Sequence, residues 1–590
     1  MVPRALALIV AWCLLDPSGL VWTHAAAQQV REAELLTTSG EPGRFGGQLT
    51  LTQRAEPRTL NPVIAVDSPS REIIRQTVGD LLHINRETQL VEPALARSWT
   101  VSPDGRRLVL TLRKGLRFSD GDAFDADDVV FSFQVYLDEK IGSFQRELLH
   151  VGGRPIGVRK IDEYTVQFEL AEAKAGAERM FDTVAMLPKH LLEAAYAKGQ
   201  LAETWGLSTD PARVAGLGPF RFKEYVTGQR VVLERNPHYW KRDSKARVLP
   251  YLDRLVFLPV ANEDAQVLRF RAGEADAIAR MNAENFDALA REQAGRGYVM
   301  RDLGAGLDYT FLFFNQNDPP ATAGGDMPRR LRWFRDTTFR QAVSAAVDRE
   351  AIARLVYRGR AVPLAGHVPP GNKRWINASL PAPVRSTARA ETLLRKAGFR
   401  RTGDEPLVDP DGTVVEFSIL VASSNTVLRQ IATVIQDDLA ALGMRVHVVP
   451  FEFRAMIDRI LNTHDYEAAI LALGGGDADP NAELNVWLSS GPQHLWRPAQ
   501  PQPATAWEAE IDRLMRAQVG MLDVGARKRA YDRVQAIVAE EVPMVFLVSP
   551  NVLVGARAGL GNFRPVVLDH HLLWNVEELF WRTGPARSPQ

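Results

Sequence analysis

Between residues 414 and 477 the chain alternates between two hydrophobic periods, and nothing else in the sequence constrains its fold as strongly. Residues 414–420 (VVEFSIL) read as a strand. Leu428, Ile431, Ile435, Leu439 and Leu442 then recur at near-helical spacing, and Gly443 supplies the residue type that ends a helix in a left-handed turn. A second strand over 445–451, a helix over 453–461 and a third strand over 466–473 complete the series. Strands alternating with helices imply a parallel α/β lobe. The third strand runs directly into Gly474, Gly475, Gly476 and Asp477. In open α/β sheets a ligand sits beyond the carboxyl ends of the strands. Glycines there let it approach the backbone. This segment is therefore the candidate ligand site.

The first half is richer in strands. Residues 46–52, 106–118, 163–170, 229–235 and 254–260 alternate apolar with polar side chains. A helix is expected over 125–137, with Asp125 as N-cap and Asp127 and Asp128 in its first turn, where carboxylates suit the helix dipole. Two helices over 505–521 and 523–540 lead to a strand over 544–549. The 590 residues correspond to three or four domain-sized units at about 150 residues each.

The N-terminus has the layout of an export signal. Arg4 precedes an apolar run from Ala5 to Leu15, and Ala25, Ala26 and Ala27 provide small residues for cleavage after Ala27. The run is shorter than the ~20 residues a bilayer span requires. The sole cysteine, Cys13, follows the bulky Trp12 inside that run, which does not suit lipid attachment. Residues 28–44 read as a mobile leader. The mature chain then has no thiol for a disulfide, a nucleophile or a metal. Lys plus Arg and Asp plus Glu number 71 each, so no net charge draws the chain to nucleic acid.

Motifs for chemistry are missing. GLGPF at 216–220 lacks the remaining elements of a phosphate loop. SDGDAFDADD at 119–128 has its glycine misplaced for a calcium loop, and Phe131 stands where a closing Glu is required. His570 and His571 are expected on opposite faces of a strand, and Asp437 and Asp438 on diverging helical positions. No metal, cofactor or catalytic residue is expected. Trp487, Trp496 and Trp507 follow the glycine segment and are candidates either for the cleft or for the core.

A set of blocks in fixed order carries a family resemblance: TLNPVIAVDSPSREI at 59–73, LVEPALARSWTVSPDGRRLVLTLRKGLRFSDGDAFDADDVVFSF at 90–133, GLGPFRFKEY at 216–225, VVLERNPHYWK at 231–241, LPYLDRLVF at 249–257 and FRQAVSAAVDREAI at 339–352. Over about 45–580 the chain resembles the bacterial extracellular solute-binding proteins of the dipeptide and oligopeptide class (family 5). The resemblance implies an α/β, two-lobed periplasmic-binding-protein fold, of type II and the large three-subdomain kind, with a ligand cleft between the lobes. It implies lobe I over 45–308 with a subdomain at about 76–215, lobe II over 309–545, and a return to lobe I over 546–590. Hinges are expected near 305–310 and 541–549. It further implies a monomer in the periplasm that delivers peptide to the permease of an ABC importer. By analogy Asp477 faces the peptide ammonium, and Gly475 and Gly476 form the backbone-contact strand. Asp80 and Leu81 match the contact strand of the first lobe, Asp80 standing where a glycine is usual. Trp487 is a further candidate contact. An oligosaccharide, an opine, a nickel chelate or a sensor role remain alternatives within the same fold.

Overall fold

The computed structural model describes residues 33–318, 326–474, 478–498 and 500–583. The expected export signal, and Gly475, Gly476 and Asp477, lie outside the described residues.

The protein has two lobes, each built on its own sheet. In lobe I the strands run in the order Phe220–Val226, Arg230–Arg235, Arg254–Pro259, Gln48–Gln53, Ala277–Ala279, Val548–Arg557 and Tyr298–Ala305, and Ala361–Pro363 pairs with the start of Val548–Arg557. A four-stranded antiparallel sheet, in the order Ala96–Val101, Arg107–Leu112, Thr165–Glu169 and Gly157–Asp162, packs into the same core. Its helix Ala126–Leu137 starts as its sequence dictates. The Asp125 side chain accepts from the first turn, and Asp128 returns the favour to the Asp125 N–H. From Ala33 onward the segment expected as a leader is fastened to lobe I. Leu36–Thr37 pairs in parallel with Lys241–Arg242, and the Gly40 N–H donates to Glu578 at 2.9 Å.

Lobe II is a five-stranded sheet in the order Arg445–Phe451, Glu416–Ala422, Ala468–Leu473, Tyr309–Phe314 and Met544–Phe546. The first three strands are mutually parallel, but Tyr309–Phe314 is antiparallel to both neighbours, so the sheet is mixed where the sequence implied a parallel one. The reason is directional. Ala468–Leu473 runs toward the junction with lobe I, and Met544–Phe546 returns to it, whereas Tyr309–Phe314 carries the chain away from it.

Both faces of this sheet are buried. Along Tyr309–Phe314, Leu312 and Phe314 enter one core while Tyr309, Phe311 and Phe313 enter the other. A strand covered on both sides reads as a continuous apolar run. Helix Thr426–Ala440 covers the first face with Leu428, Ile431, Ile435 and Leu439. Asn425 caps its start by accepting from the Leu428 N–H at 3.1 Å, and Gly443 takes φ +84° just past its end. Ile435 has no exposed surface. Ile435→Ala is expected to destabilise lobe II by about 3 kcal/mol in a chemical denaturation series, through lost burial plus a residual cavity.

Apart from the excursion by which Ala361–Pro363 joins the start of Val548–Arg557, the chain passes between the sheets at two short crossings. It leaves the lobe I sheet at Ala305 and enters the lobe II sheet at Tyr309, then returns between Phe546 and Val548. Gly371 of lobe II lies on the first crossing. A Cβ there would fall 2.4 Å from the Gly306 carbonyl oxygen, which requires glycine. Among the described residues no helix is long and apolar enough to cross a membrane.

Candidate functional site

The lobe I wall of the junction is set by helix Ser68–Ile74 and the turn that follows it. Asp67 caps the helix through the Ser70 N–H. The next turn packs on the GLGPF segment so tightly that a Cβ on Gly216 would fall 2.0 Å from the Thr77 carbonyl oxygen, and one on Gly218 2.5 Å from that of Gln76. Those glycines therefore serve close backbone packing. The turn delivers Arg75, Gly79 and Asp80. The Gly79 and Asp80 carbonyls accept from the Met186 and Leu95 N–H groups. Leu81 has its side chain in the core and its carbonyl engaged by the Ala96 N–H.

Asp80 belongs to an ionic cluster. Its Oδ2 lies 3.7 Å from an Arg75 Nη and 3.6 Å from His83 Nδ1. Behind it Asp182 accepts from Arg86 at 2.7 Å, from Arg75 at 3.3 Å and from the Ile84 N–H at 2.7 Å, and lies 3.3 Å from His83 Nδ1. Burial pushes the Asp80 carboxyl upward, opposed by Arg75. For Asp182 burial acts the same way, but Arg86, Arg75 and His83 outweigh it and hold the carboxyl below its ordinary value. Burial pushes the His83 imidazole well below its ordinary value, opposed by Asp182. The ligating atoms of Asp80, His83 and Asp182 lie within 4.8 Å of one another. Two guanidinium groups already supply the countercharge a metal would bring. Beside this cluster is a pocket of about 70 Å³ lined by Arg75, Asp80, His83, Lys241 and His570. It has room for water but not for a ligand of ordinary size, which needs about 300 Å³ or more.

The lobe II wall is built around the end of strand Ala468–Leu473. Its ladder with Tyr309–Phe314 ends at Leu473↔Tyr309. A Cβ on Gly474 would sit 3.1 Å from Asp308 Oδ1. On the far side of the glycine segment, the Ala478 carbonyl accepts from Asn372 Nδ2 at 2.8 Å, and Ala478 packs with Leu307 and Leu568. Both flanks of the segment are thus fixed where the lobes meet. Asp479 accepts from the two Nη atoms of Arg527 at 2.8 and 2.5 Å and caps the turn Pro480–Glu483 through the Asn481 N–H. Arg527 is buried, donates also to Gln518, and stands 4.9 Å from the Trp375 ring centre.

Across the junction the lobes share hydrogen bonds. Gln89 donates to the Gly371 carbonyl at 2.6 Å and accepts from the Lys373 N–H at 3.2 Å. The Ala175 N–H donates to the Val519 carbonyl at 2.6 Å, and Asn481 Nδ2 to the Ala175 carbonyl at 3.1 Å.

Trp487 is 1% exposed, donates to Glu483 Oε2 at 2.7 Å, and packs its ring 4.2 Å from that of His367. Trp496 is equally buried and donates to Glu508 at 3.2 Å. The other motifs also have structural partners. Asp120 and Asp122 face His190 at 2.7 and 3.0 Å, and Asp438 pairs with Arg385 at 2.6 Å. His570 sits in a turn at φ +66°, not on a strand. Sequence reasoning did not single out Arg75, His83, Asp182, Gln89, Glu483 or Arg527. For Arg527 a signal exists: it occupies the apolar stripe of helix Val524–Glu541, in line with Ala530, Tyr531, Val534 and Val538.

A family model for bacterial extracellular solute-binding proteins, family 5, matches residues 91–494. A probable ABC transporter-binding protein of Deinococcus radiodurans is 28% identical over 74% of this chain and 75% of its own length. The oligopeptide-binding protein AppA of Bacillus subtilis is 25% identical over 87% of this chain and 88% of its own length. The structure of that AppA in complex with a nonapeptide superposes with a TM-score of 0.66 at 23% identity, covering 92% of this chain and 100% of that one. These relatives are named as binding proteins. With its two lobes and a family match over more than half its length, this chain belongs to family 5 of the bacterial extracellular solute-binding proteins.

Proposed function

We propose that this protein captures a peptide between its lobes and delivers it to the permease of an ABC importer. The observation that carries this reading is the end of strand Ala468–Leu473. Among the described residues its ladder stops at Leu473↔Tyr309, at the lobe junction. An extended peptide continues such a ladder through main-chain hydrogen bonds. The name of the AppA relative supports the same ligand class. Trp487 and Trp496 spend their surfaces on the core and on each other, 5.9 Å apart, which does not favour a sugar platform.

In this reading the crossings at Ala305–Tyr309 and Phe546–Val548 are the hinges, separating lobe I from lobe II. The Gln89–Gly371–Lys373 bonds help to hold the closed form. Asp477 anchors the peptide ammonium, Gly475 and Gly476 offer backbone groups, and Asp80 and Leu81 form the opposing edge. The protein acts as a monomer, exported by a signal cleaved after Ala27. It performs no chemistry on its ligand.

Mass spectrometry of ligand released on denaturing protein from its native host tests the reading. Peptides are expected; sugars or metal chelates without peptides would overturn it. Asp477→Asn is expected to weaken binding of peptides with a free amino terminus by about tenfold or more, since a charge-assisted hydrogen bond becomes a neutral one. Calorimetry with a free and an N-acetylated peptide checks this. Unchanged affinity for the free peptide would remove Asp477 as the anchor.

A further inference from the structure

Among the described residues Glu483 has no lysine or arginine as countercharge. Trp487 Nε1 and the Tyr531 hydroxyl both donate to its Oε2, at 2.7 and 2.9 Å. His367 Nε2 lies 3.4 Å from the same oxygen, but burial holds that imidazole neutral, its value pushed down to about 3. Oε1 has no hydrogen-bond partner among the described residues, and it is not among the fully buried atoms. No lysine or arginine of the described residues lies within ion-pairing distance. The fully buried carboxylates of lobe II have more complete sets of partners. Asp479 has Arg527, Asp512 has Arg516 and Ser489, and Glu508 has His494, Gln500, Trp496 and Thr505.

Its surroundings make an uncompensated charge costly. His367, Trp487 and Tyr531 are buried around it, while the Glu483 side chain keeps 20% exposure. Burial pushes its carboxyl up to about 7, against the two donors. Glu483 is also well placed. It ends the turn that begins at Asp479, and the same turn touches lobe I through Asn481 and Ala175. Its charge reaches Tyr309, the partner of Leu473 at the end of the ligand-facing strand.

We propose that Glu483 is a second anchor of the ligand site, with Oε1 receiving an alkylammonium or guanidinium group of the captured solute. Trp487 and Tyr531 fix the carboxylate in place, so that the incoming cation meets a preorganised acceptor. The proposal rests on the chain being a solute-binding protein and deepens the peptide reading by favouring ligands with a basic side chain.

The test compares Ala-Lys-Ala with its uncharged isostere Ala-norleucine-Ala by calorimetry, with agmatine and spermidine as cations that are not peptides. At pH 8 the wild type is expected to prefer the lysine peptide by about tenfold, the scale of one charge-assisted bond. Glu483→Gln keeps an oxygen that accepts from Trp487 and Tyr531, and is expected to bring the two affinities within about twofold of each other. In the wild type the preference shrinks at pH 6, because the carboxylate takes up a proton as pH falls through about 7; this arm needs no variant. A preference absent from the wild type, or undiminished in Glu483→Gln, overturns the anchor while peptide binding itself stands. If no peptide binds but agmatine or spermidine stabilises the wild type and not the variant, the anchor stands and the peptide reading falls. If no cation shows dependence on Glu483, the anchor is overturned.

Discussion

Arg527→Ala is expected to lower the unfolding free energy of lobe II by about 3–5 kcal/mol, the cost of removing one partner of a buried ion pair. Asp479 is 5% exposed and Arg527 3%, so little water reaches either group. The substitution removes both bonds to Asp479, the bond to Gln518 and the contact with the Trp375 ring. Arg527→Lys is expected to recover only part of the loss, because one ammonium cannot reproduce the paired geometry of a guanidinium. Since Asp479 fixes the chain just past the glycine segment, the proposed site predicts that ligand affinity falls alongside stability. Urea unfolding followed by tryptophan fluorescence measures the first effect. A loss below about 1 kcal/mol, the scale of an exposed pair, would show that the ion pair does not hold this loop.

Asp182→Asn is expected to cost about 3 kcal/mol at pH 7, because Arg75 and Arg86 lose their shared buried partner while the Ile84 N–H keeps an acceptor. The sign of the pH dependence follows from the lowered Asp182 carboxyl. A carboxyl depressed on folding contributes stability that is fully present above its unfolded value of about 4 and is lost as pH falls through its folded value. The contribution of Asp182 itself should therefore persist from pH 7 to 5 and begin to fade only below about pH 4. Thermal unfolding of wild type and variant across that range checks it. A gap that closes between pH 7 and 5 would mean that Asp182 does not carry the charge assigned to it.

Local signals in the sequence are plain where one element supplies the whole signal. Helix Thr426–Ala440 shows its buried face as a 3.6-residue period, and Asp125 announces the start of Ala126–Leu137 by residue type alone. The direction of Tyr309–Phe314 had no such marker, because a strand buried on both faces has the same composition whichever way it runs. Of the candidate site the sequence marks a segment, and the described residues show only its two flanks. Glycines after a strand point to a ligand-facing edge, and Gly474 and Ala478 do stand at the lobe junction. The ionic cluster at Asp80 was not legible. Its partners Arg75 and Asp182 are 107 residues apart, and only the fold brings them together. Trp487 illustrates the opposite difficulty: a tryptophan near a candidate cleft looks alike in sequence whether its ring faces the ligand or, as here, His367 and Trp496.

The place of strand Val548–Arg557 has a consequence for how the protein is made. It lies inside the lobe I sheet, between Ala277–Ala279 and Tyr298–Ala305, although more than 240 residues of chain separate it from both. A nascent chain that has emerged only as far as lobe II carries a lobe I sheet with an open slot and two unsatisfied edges. Lobe II needs only the short strand Met544–Phe546 to close its own sheet. Assembly should therefore finish in the reverse of chain order, lobe II becoming complete before lobe I. Until the last strand arrives, the first lobe is the part most exposed to proteases and to edge pairing with another chain.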